Sequence, residues 1–391
     1  MDPNSIRHIF LSCGEASGDR YGAELISALR RIDPSLRISC LGARNMAGAG
    51  AEVVLDSSEL AIMGFAEVLG ALPAVIRARR KIFSFLGEEK VDLVVPIDFP
   101  GFNGGVASRA KSLGVPVFWL IAPQVWAWGG WRIRGLREKI DRLGTILPFE
   151  PKFFTDHGFD VFDMGHPLME NFGGDFPFEE GITRRERKFH DQDGPLKICL
   201  LPGSRKQELS HLLPILKVTS QALVGHLGER PAHFVVSAAP GVDPKTIRSV
   251  FNRDTEISSE PLERVLAGSD LALVCSGTAS LEAALAGVPH EIVYRTGKLN
   301  YWLARHLVRT QFIGLSNLIL DKPIIREHIQ EGASPLPLAR ELLRWVTRPN
   351  ERMNFYQQAR DLRNLCGSTG VWERTASALL EFLDETSNAP S

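Results

Sequence analysis

Short apolar runs recur along this chain, each separated from the next by a longer stretch whose apolar residues return every three or four positions. Runs at 7–13, 36–41, 91–97, 115–121 and 143–147 occupy the first half, and runs at 197–201, 233–238, 254–257, 271–275 and 291–294 the second. They are apolar on both faces, which predicts strands of a parallel sheet covered on both sides. The stretches between them, among them 21–31, 74–86, 206–227 and 279–286, carry helical period. Strand and helix in alternation predict right-handed crossovers and an α/β fold with parallel sheets. Beyond about residue 299 the pattern is mainly helical. A polar segment at 171–195, rich in Gly, Pro and charge, reads as an interdomain connection. The expected division is a Rossmann-like domain at 1–170, the connection, a second Rossmann-like domain at 196–365, and a terminal helix at 366–391 packing back on the first domain.

Composition narrows the classes. A chain of 391 residues is long enough for two cores. Forty-five Lys and Arg against 46 Asp and Glu leave no global field for nucleic acid. The five cysteines stand singly, without a Cys-x-x-Cys pair or a disulfide framework, as in a reducing compartment. With no signal peptide and no bilayer-length apolar run, the expectation is a cytoplasmic protein, at most peripheral on a membrane.

The candidate chemistry lies at strand ends. Strand 197–201 runs into Pro202, Gly203 and Ser204 and then a helix, a junction that gathers free N–H groups and the positive end of a dipole. Gly203 permits close backbone approach, Ser204 offers a hydroxyl, and Arg205 supplies a fork of donors for phosphate oxygens. Strand 271–275 ends in the same way at Ser276, Gly277, Thr278 and Ala279, with Glu282 one turn on as an acceptor for a ribose diol. A surface Arg and a first-turn acid explain either turn alone; two such turns in one sheet predict a nucleotide-diphosphate site.

The first half is different. Its opening loop, Gly14-Glu-Ala-Ser-Gly-Asp19, lacks Gly-x-Gly-x-x-Gly spacing, and Glu15 would repel a pyrophosphate, which disfavours a dinucleotide enzyme. The loop suits hydroxyls of a sugar-like ligand. Asp98 closes strand 91–97, where open α/β sheets bind ligands, although most such aspartates are turn or cap acids. His166 reads as structural, and Asp191-Gln-Asp193 is rejected as a metal site. Arg77, Arg79, Arg80 and Lys81 on helix 74–86 read as a surface helix or a membrane-interface element. Trp126, Trp128 and Trp131 beside Arg132 and Arg134 suit a lipid boundary or, in part, the core. Two facing nucleotide-fold domains, with phosphate turns only in the second, describe the GT-B glycosyltransferase architecture.

Taken in order, Gly14-Glu-Ala-Ser-Gly-Asp19, Met63-Gly-Phe-Ala-Glu-Val-Leu69, Ile97-Asp-Phe-Pro-Gly-Phe-Asn103, Pro123-Gln-Val-Trp-Ala-Trp128, Leu147-Pro-Phe-Glu150, Gly165-His-Pro167, Leu201-Pro-Gly-Ser-Arg205 and Ser276-Gly-Thr-Ala279 resemble the lipid-A-disaccharide synthase family from about residue 8 to 380. The resemblance implies UDP-2,3-diacylglucosamine as donor and 2,3-diacylglucosamine 1-phosphate as acceptor, giving a β-1,6 disaccharide 1-phosphate and UDP with inversion, without metal or cofactor. It implies Asp98 as general base, with Glu15, Ser17 and Asn103 at the acceptor. Gly203, Ser204, Arg205, Ser276, Gly277, Thr278, Ala279, Glu282, Asn317 and Gln330 would hold the donor. It also implies peripheral contact with the cytoplasmic face of the inner membrane through Met63, Phe65, Val68, Leu69, Arg77, Arg80, Lys81, Trp126 and Trp128. Ala122, Ser280 and the polar pair His290-Glu291 depart from the family pattern, the last placing polar groups in a buried strand. Rival readings are another GT-B UDP-sugar enzyme, either a lipid-linked transferase or an epimerase, and a non-catalytic lipid-binding relative.

Overall fold

The computed structural model describes residues 7–58, 68–191, 194–253, 255–297, 301 and 310–387, with the backbone alone at 68–72. The chain divides into two compact units, Met1–Pro167 with Gly370–Ser391, and Leu168–Thr369.

In the first unit, strands β1 (His8–Ser12), β2 (Arg37–Gly42), β3 (Glu52–Asp56) and β4 (Leu93–Pro96) form a parallel sheet in the order β3-β2-β1-β4. Strands β5 (Phe118–Leu120), β6 (Arg142–Thr145) and β7 (Val161–Asp163) form a second parallel sheet, and the bridges Val94↔Val117 and Ile97↔Leu120 bring β5 beside β4. Its main helices before residue 113 are α1 (Ala16–Ile32), α2 (Arg44–Gly48), α3 (Val68–Glu88) and α4 (Pro100–Ser112). Alternate residues of each strand serve opposite cores, which is why the runs are apolar throughout. Ile9 and Leu11 of β1 pack with Leu25 and Leu29, whereas Phe10 packs with Ile82, Val106 and Trp119.

The second unit orders its strands β10-β9-β8-β11-β12-β13, all parallel: β8 (Leu196–Leu201), β9 (Ala232–Ser237), β10 (Glu256–Ser258), β11 (Leu271–Cys275), β12 (His290–Tyr294) and β13 (Glu327–Ile329). Its main helices are α5 (Phe178–Asp191), α6 (Lys206–Leu227), α7 (Thr278–Leu285), α8 (Leu315–Leu320), α9 (Pro335–Thr347) and α10 (Pro349–Cys366). The chain then closes with α11 (Val371–Ser387), which belongs to the first unit. There Tyr21 meets Trp372 at 5.5 Å and Phe118 meets Phe382 at 5.4 Å between ring centres.

Three differences from the sequence pattern have physical causes. The segment at 171–195, expected to be a connection, contains α5. Its polarity conceals a buried Arg185, whose guanidinium donates to the carbonyls of Ser269, Gly287 and Leu266, and Lys188, whose Nζ lies 2.5 Å from the Asp270 carboxylate. Strand β13 falls in a region read as helical, because three residues are too few to show a period; pairing with β12 makes it a strand. The polar pair in β12 is accommodated, Glu291 through three partners and His290 at one ring nitrogen. The buried Glu291 carboxylate accepts from Trp345 Nε1 (2.7 Å) and Arg344 (2.8 Å) and lies 2.9 Å from His328 Nε2. Burial lowers the pKa of His290 to about 4, so the ring is neutral; its Nδ1 lies 2.8 Å from the Val288 carbonyl.

Candidate active site

In both units the strand order reverses between two neighbouring parallel strands, and the crevice beyond their carboxyl ends is where such sheets bind ligands. In the first unit the reversal lies between β1 and β4, so the loop at 13–17 and the turn at 97–100 become neighbours. The turn is strained. Asp98 and Phe99 both have left-handed backbones, φ 47° and 52°, before Pro100 opens α4. Non-glycine residues hold that conformation at a cost of about 1–3 kcal/mol each and need surroundings that over-determine it. Asn103 supplies part of that determination. Fully buried, its amide donates to the carbonyls of Ser12 (3.0 Å), Ile97 (3.3 Å) and Asp98 (2.8 Å), and its oxygen accepts from Ser12 Oγ at 2.6 Å. The Phe99 ring lies over Gly14, where any Cβ would come within 2.1 Å of it. Gly14 therefore has to be glycine, and the two loops are locked together.

The lock presents Asp98 with Glu15 and Ser17, all three open to solvent at their surfaces. Asp98 keeps that opening although protein atoms crowd its carboxyl on most sides. The crowding removes bulk water and, with the Glu15 charge as a second cause, raises its pKa to about 6. A carboxylate with that pKa at a crevice is suited to accept a proton near neutrality. Asp19 of the same motif is structural: its buried carboxylate accepts from the N–H groups of Ala43 (2.6 Å), Asn45 and Met46 at the start of α2.

In the second unit the reversal lies between β8 and β11, which places the turns at 202–205 and 276–278 side by side. They differ. In the first, the Glu208 carboxylate accepts from the N–H groups of Ser204 (3.0 Å) and Arg205 (3.1 Å) and lies 3.3 Å from the Arg205 guanidinium. Gly203, with φ 93°, faces it so closely that a Cβ would sit 2.4 Å from Glu208 Oε2. The amides expected to meet a phosphate are thus capped by the chain itself, while the Arg205 side chain remains exposed. In the second turn Ser276 is held by Ser276 N to Val293 O (3.1 Å) and by its hydroxyl to Ile313 O (3.3 Å). Gly277 and Thr278 are exposed, the space beside Gly277 is open, and no side chain caps α7. Ala279 and Glu282, both half-buried, follow on that helix.

Several residues expected to touch ligands have partners within the protein. Asn103 holds the Asp98 turn through the hydrogen bonds given above. Asn317, fully buried, donates to Ile325 O (2.7 Å) and Glu327 (2.8 Å) and accepts from Ile325 N. Gln330, mostly buried, clasps Thr296 through both backbone groups, at 3.0 and 3.1 Å. Trp126 is part of the core edge. Its indole N–H donates to the buried Glu150 at 3.0 Å, and burial raises the pKa of that carboxyl to about 7. Burial likewise lowers the pKa of His166 to about 4. Trp128 is 43% exposed with the Arg132 guanidinium 4.1 Å above its ring, Trp131 is 86% exposed, and Arg77, Arg80 and Lys81 are exposed. Met63 and Phe65 lie outside the described residues, as do the side chains of Val68 and Leu69. Glu208, missed in the sequence, was legible there as an acid three residues after a cap position.

Comparison with known proteins bears on the family and the fold. The profile of the family described as Lipid-A-disaccharide synthetase matches residues 9–379. A "Lipid-A-disaccharide synthase" of Myxococcus xanthus (strain DK1622) is 35% identical over 382 residues, covering 96% of this chain and 97% of its own. Another, of Syntrophus aciditrophicus (strain SB), is 33% identical over 387 residues, covering 97% and 98%. Among solved structures, the calicheamicin glycosyltransferase CalG4 superposes with a TM-score of 0.62 at 18% identity, over 99% of this chain and all of its own. A complex of Staphylococcus aureus MnaA with UDP gives 0.61 at 13% identity, over 99% of both chains. These structures share the GT-B fold; at such identity they speak to the fold alone.

Proposed function

Because the chain belongs to the lipid-A-disaccharide synthetase family, we propose that it transfers 2,3-diacylglucosamine from UDP-2,3-diacylglucosamine to the 6-hydroxyl of 2,3-diacylglucosamine 1-phosphate, releasing UDP. The observation that carries the chemistry is the strained turn that holds Asp98 beside Glu15 and raises its pKa to about 6. Asp98 takes the proton of the acceptor hydroxyl as its oxygen attacks the anomeric carbon from the face opposite UDP. The new glycosidic bond forms as the bond to the diphosphate breaks, which inverts the configuration. Glu15 and Ser17 line the acceptor side. The departing diphosphate gains negative charge, which the Arg205 guanidinium and the open turn at Ser276, Gly277, Thr278 and Ala279 stabilise. Glu282 accepts from the ribose. In this reading Asn103, Asn317 and Gln330 shape the loops without touching substrate.

The acyl chains of both substrates need a path from a bilayer. We assign that contact to the exposed cations Arg77, Arg80 and Lys81 and to Trp128 and Trp131, on the cytoplasmic face of the inner membrane. No helix among the described residues is long and apolar enough to cross a membrane.

The deciding experiment measures UDP release in EDTA with both substrates and with each omitted. Release that needs the acceptor and resists EDTA supports the metal-free transferase. Release without acceptor would instead indicate an epimerase or hydrolase.

A further inference from the structure

Helices α3 and α4 of the first unit carry an open surface groove of about 550 Å³ lined by Ile76, Arg79, Arg80, Phe83, Ser84 and Arg109. Three arginines line it and no lining residue is acidic. Among the described residues no carboxylate pairs with any of the three. Glu88, the nearest acid along α3, accepts from Ser84 Oγ at 2.5 Å, and Glu89 pairs with Arg37. Arg79 Nε is buried without a hydrogen-bond partner. Like charges gathered together repel, and a buried donor without a partner is unfavourable, so an anionic acceptor in the groove would be stabilised by all three cations.

The backbone is shaped around these side chains. The Arg79 guanidinium lies flat on Gly105, where a Cβ would fall 2.4 Å from Nη2. The Arg109 guanidinium lies against Gly87, where a Cβ would fall 2.7 Å from its Nη2, and Arg109 Nε reaches the Phe83 carbonyl at 3.4 Å. Glycine is a poor helix former, yet α3 and α4 each carry one where a guanidinium must sit close. A single carboxylate would satisfy one fork; three forks around one groove match the several oxygens of a phosphate group. Ile76, 42% exposed, and Phe83 add an apolar shoulder beside them. This cluster is compact and the chain's net charge is −1, which does not make the extended basic track that nucleic acid needs.

We propose that Arg79, Arg80 and Arg109 form a seat for the phosphate of an anionic phospholipid headgroup, with Ile76 and Phe83 against its glycerol and the start of its acyl chains. The inference rests on the membrane-face reading above for the source of the phosphate, and adds to it a defined stereochemical site. Gly105 separates a built seat from diffuse attraction, because Gly105→Ala changes no charge but displaces the Arg79 guanidinium.

The test is sedimentation of the full chain with phosphatidylcholine vesicles, with and without phosphatidylglycerol, beside Arg79→Gln/Arg109→Gln, Gly105→Ala and Arg77→Gln, each first shown to melt like wild type. Diffuse attraction lowers partitioning by about fivefold per lost cation, wherever on the face it lies. The seat predicts that Gly105→Ala loses severalfold with its charge intact, that the double variant loses more than twice the logarithmic loss of Arg77→Gln, and that glycerol 3-phosphate competes. If wild type ignores phosphatidylglycerol, the membrane-face reading fails and takes this one with it, even should free glycerol phosphate bind. If wild type binds, and Gly105→Ala binds equally well with the double variant losing only twice what Arg77→Gln loses, the seat alone is overturned.

Discussion

The two strand-order reversals of this molecule occupy the same position in the same kind of sheet and carry opposite chemistry. Beyond β1 and β4 the chain assembles two carboxylates, Asp98 and Glu15, on a backbone with two consecutive left-handed residues. Beyond β8 and β11 it assembles a guanidinium and an uncapped helix start, with the acid beside the first turn, Glu208, committed to backbone amides. The scaffold determines where loops converge. What converges there depends on a few residues in each loop, which is how one topology can serve a proton acceptor in one place and an anion in the other.

If the division of labour is real, the variants separate cleanly. Asp98→Asn should lower kcat by about 10²–10⁴-fold, the usual worth of a general base, while the Kd for UDP by calorimetry stays put. Loss of UDP affinity in that variant would break the division. Arg205→Ala should weaken UDP by about ten- to a hundredfold, the scale of a hydrogen bond to a charged group, and lower kcat as well because the leaving charge is less stabilised. Gly203→Ala sharpens the contrast within the donor side. It forces a Cβ into a left-handed position and against Glu208, and should lower stability in a denaturant melt by about 1–3 kcal/mol.

A smaller effect tests what Glu208 does for Arg205. In a double-mutant cycle on UDP binding, Arg205→Ala and Glu208→Ala should couple by about 0.2–1 kcal/mol, as expected of an exposed pair; additivity would leave Glu208 as a helix cap only. The last prediction concerns pH. Asp98 accepts a proton only when ionised, so kcat/KM should rise with pH through about 6. Glu15 is a cause of that raised value, so Glu15→Gln should move the rising limb to lower pH. A limb that stays in place would remove Glu15 from the electrostatics of the site.

Much of this was legible in the residues alone. Apolar runs at 91–97, 197–201 and 271–275 declare strands covered on both faces because parallel sheets bury both sides, and Gly and Ser after them declare turns that feed helices. Those signals are local, and an ordered set of short motifs is specific enough to carry a family. The surroundings of Asn103, Asn317 and Gln330 were not legible, for the opposite reason. A polar residue inside a motif looks the same in the sequence whether it meets a substrate or a backbone carbonyl. The partners that decided the matter, Ser12 for Asn103 and Thr296 for Gln330, stand 91 and 34 residues away.

The sequence by itself determined the alternation of strand and helix, the strand–turn–helix junctions at 202–205 and 276–279, the strand-end aspartate and the family. Those follow from period, turn chemistry and residue type within a few positions. Only the tertiary structure decided that Asp98 would sit in a strained turn with a raised pKa, and that Glu291 could be buried because Arg344 and Trp345 reach it. It alone set three arginines from two helices around one groove with glycines beneath two of them. Each of these depends on desolvation and on hydrogen bonds between distant segments, and neither exists until the chain has folded.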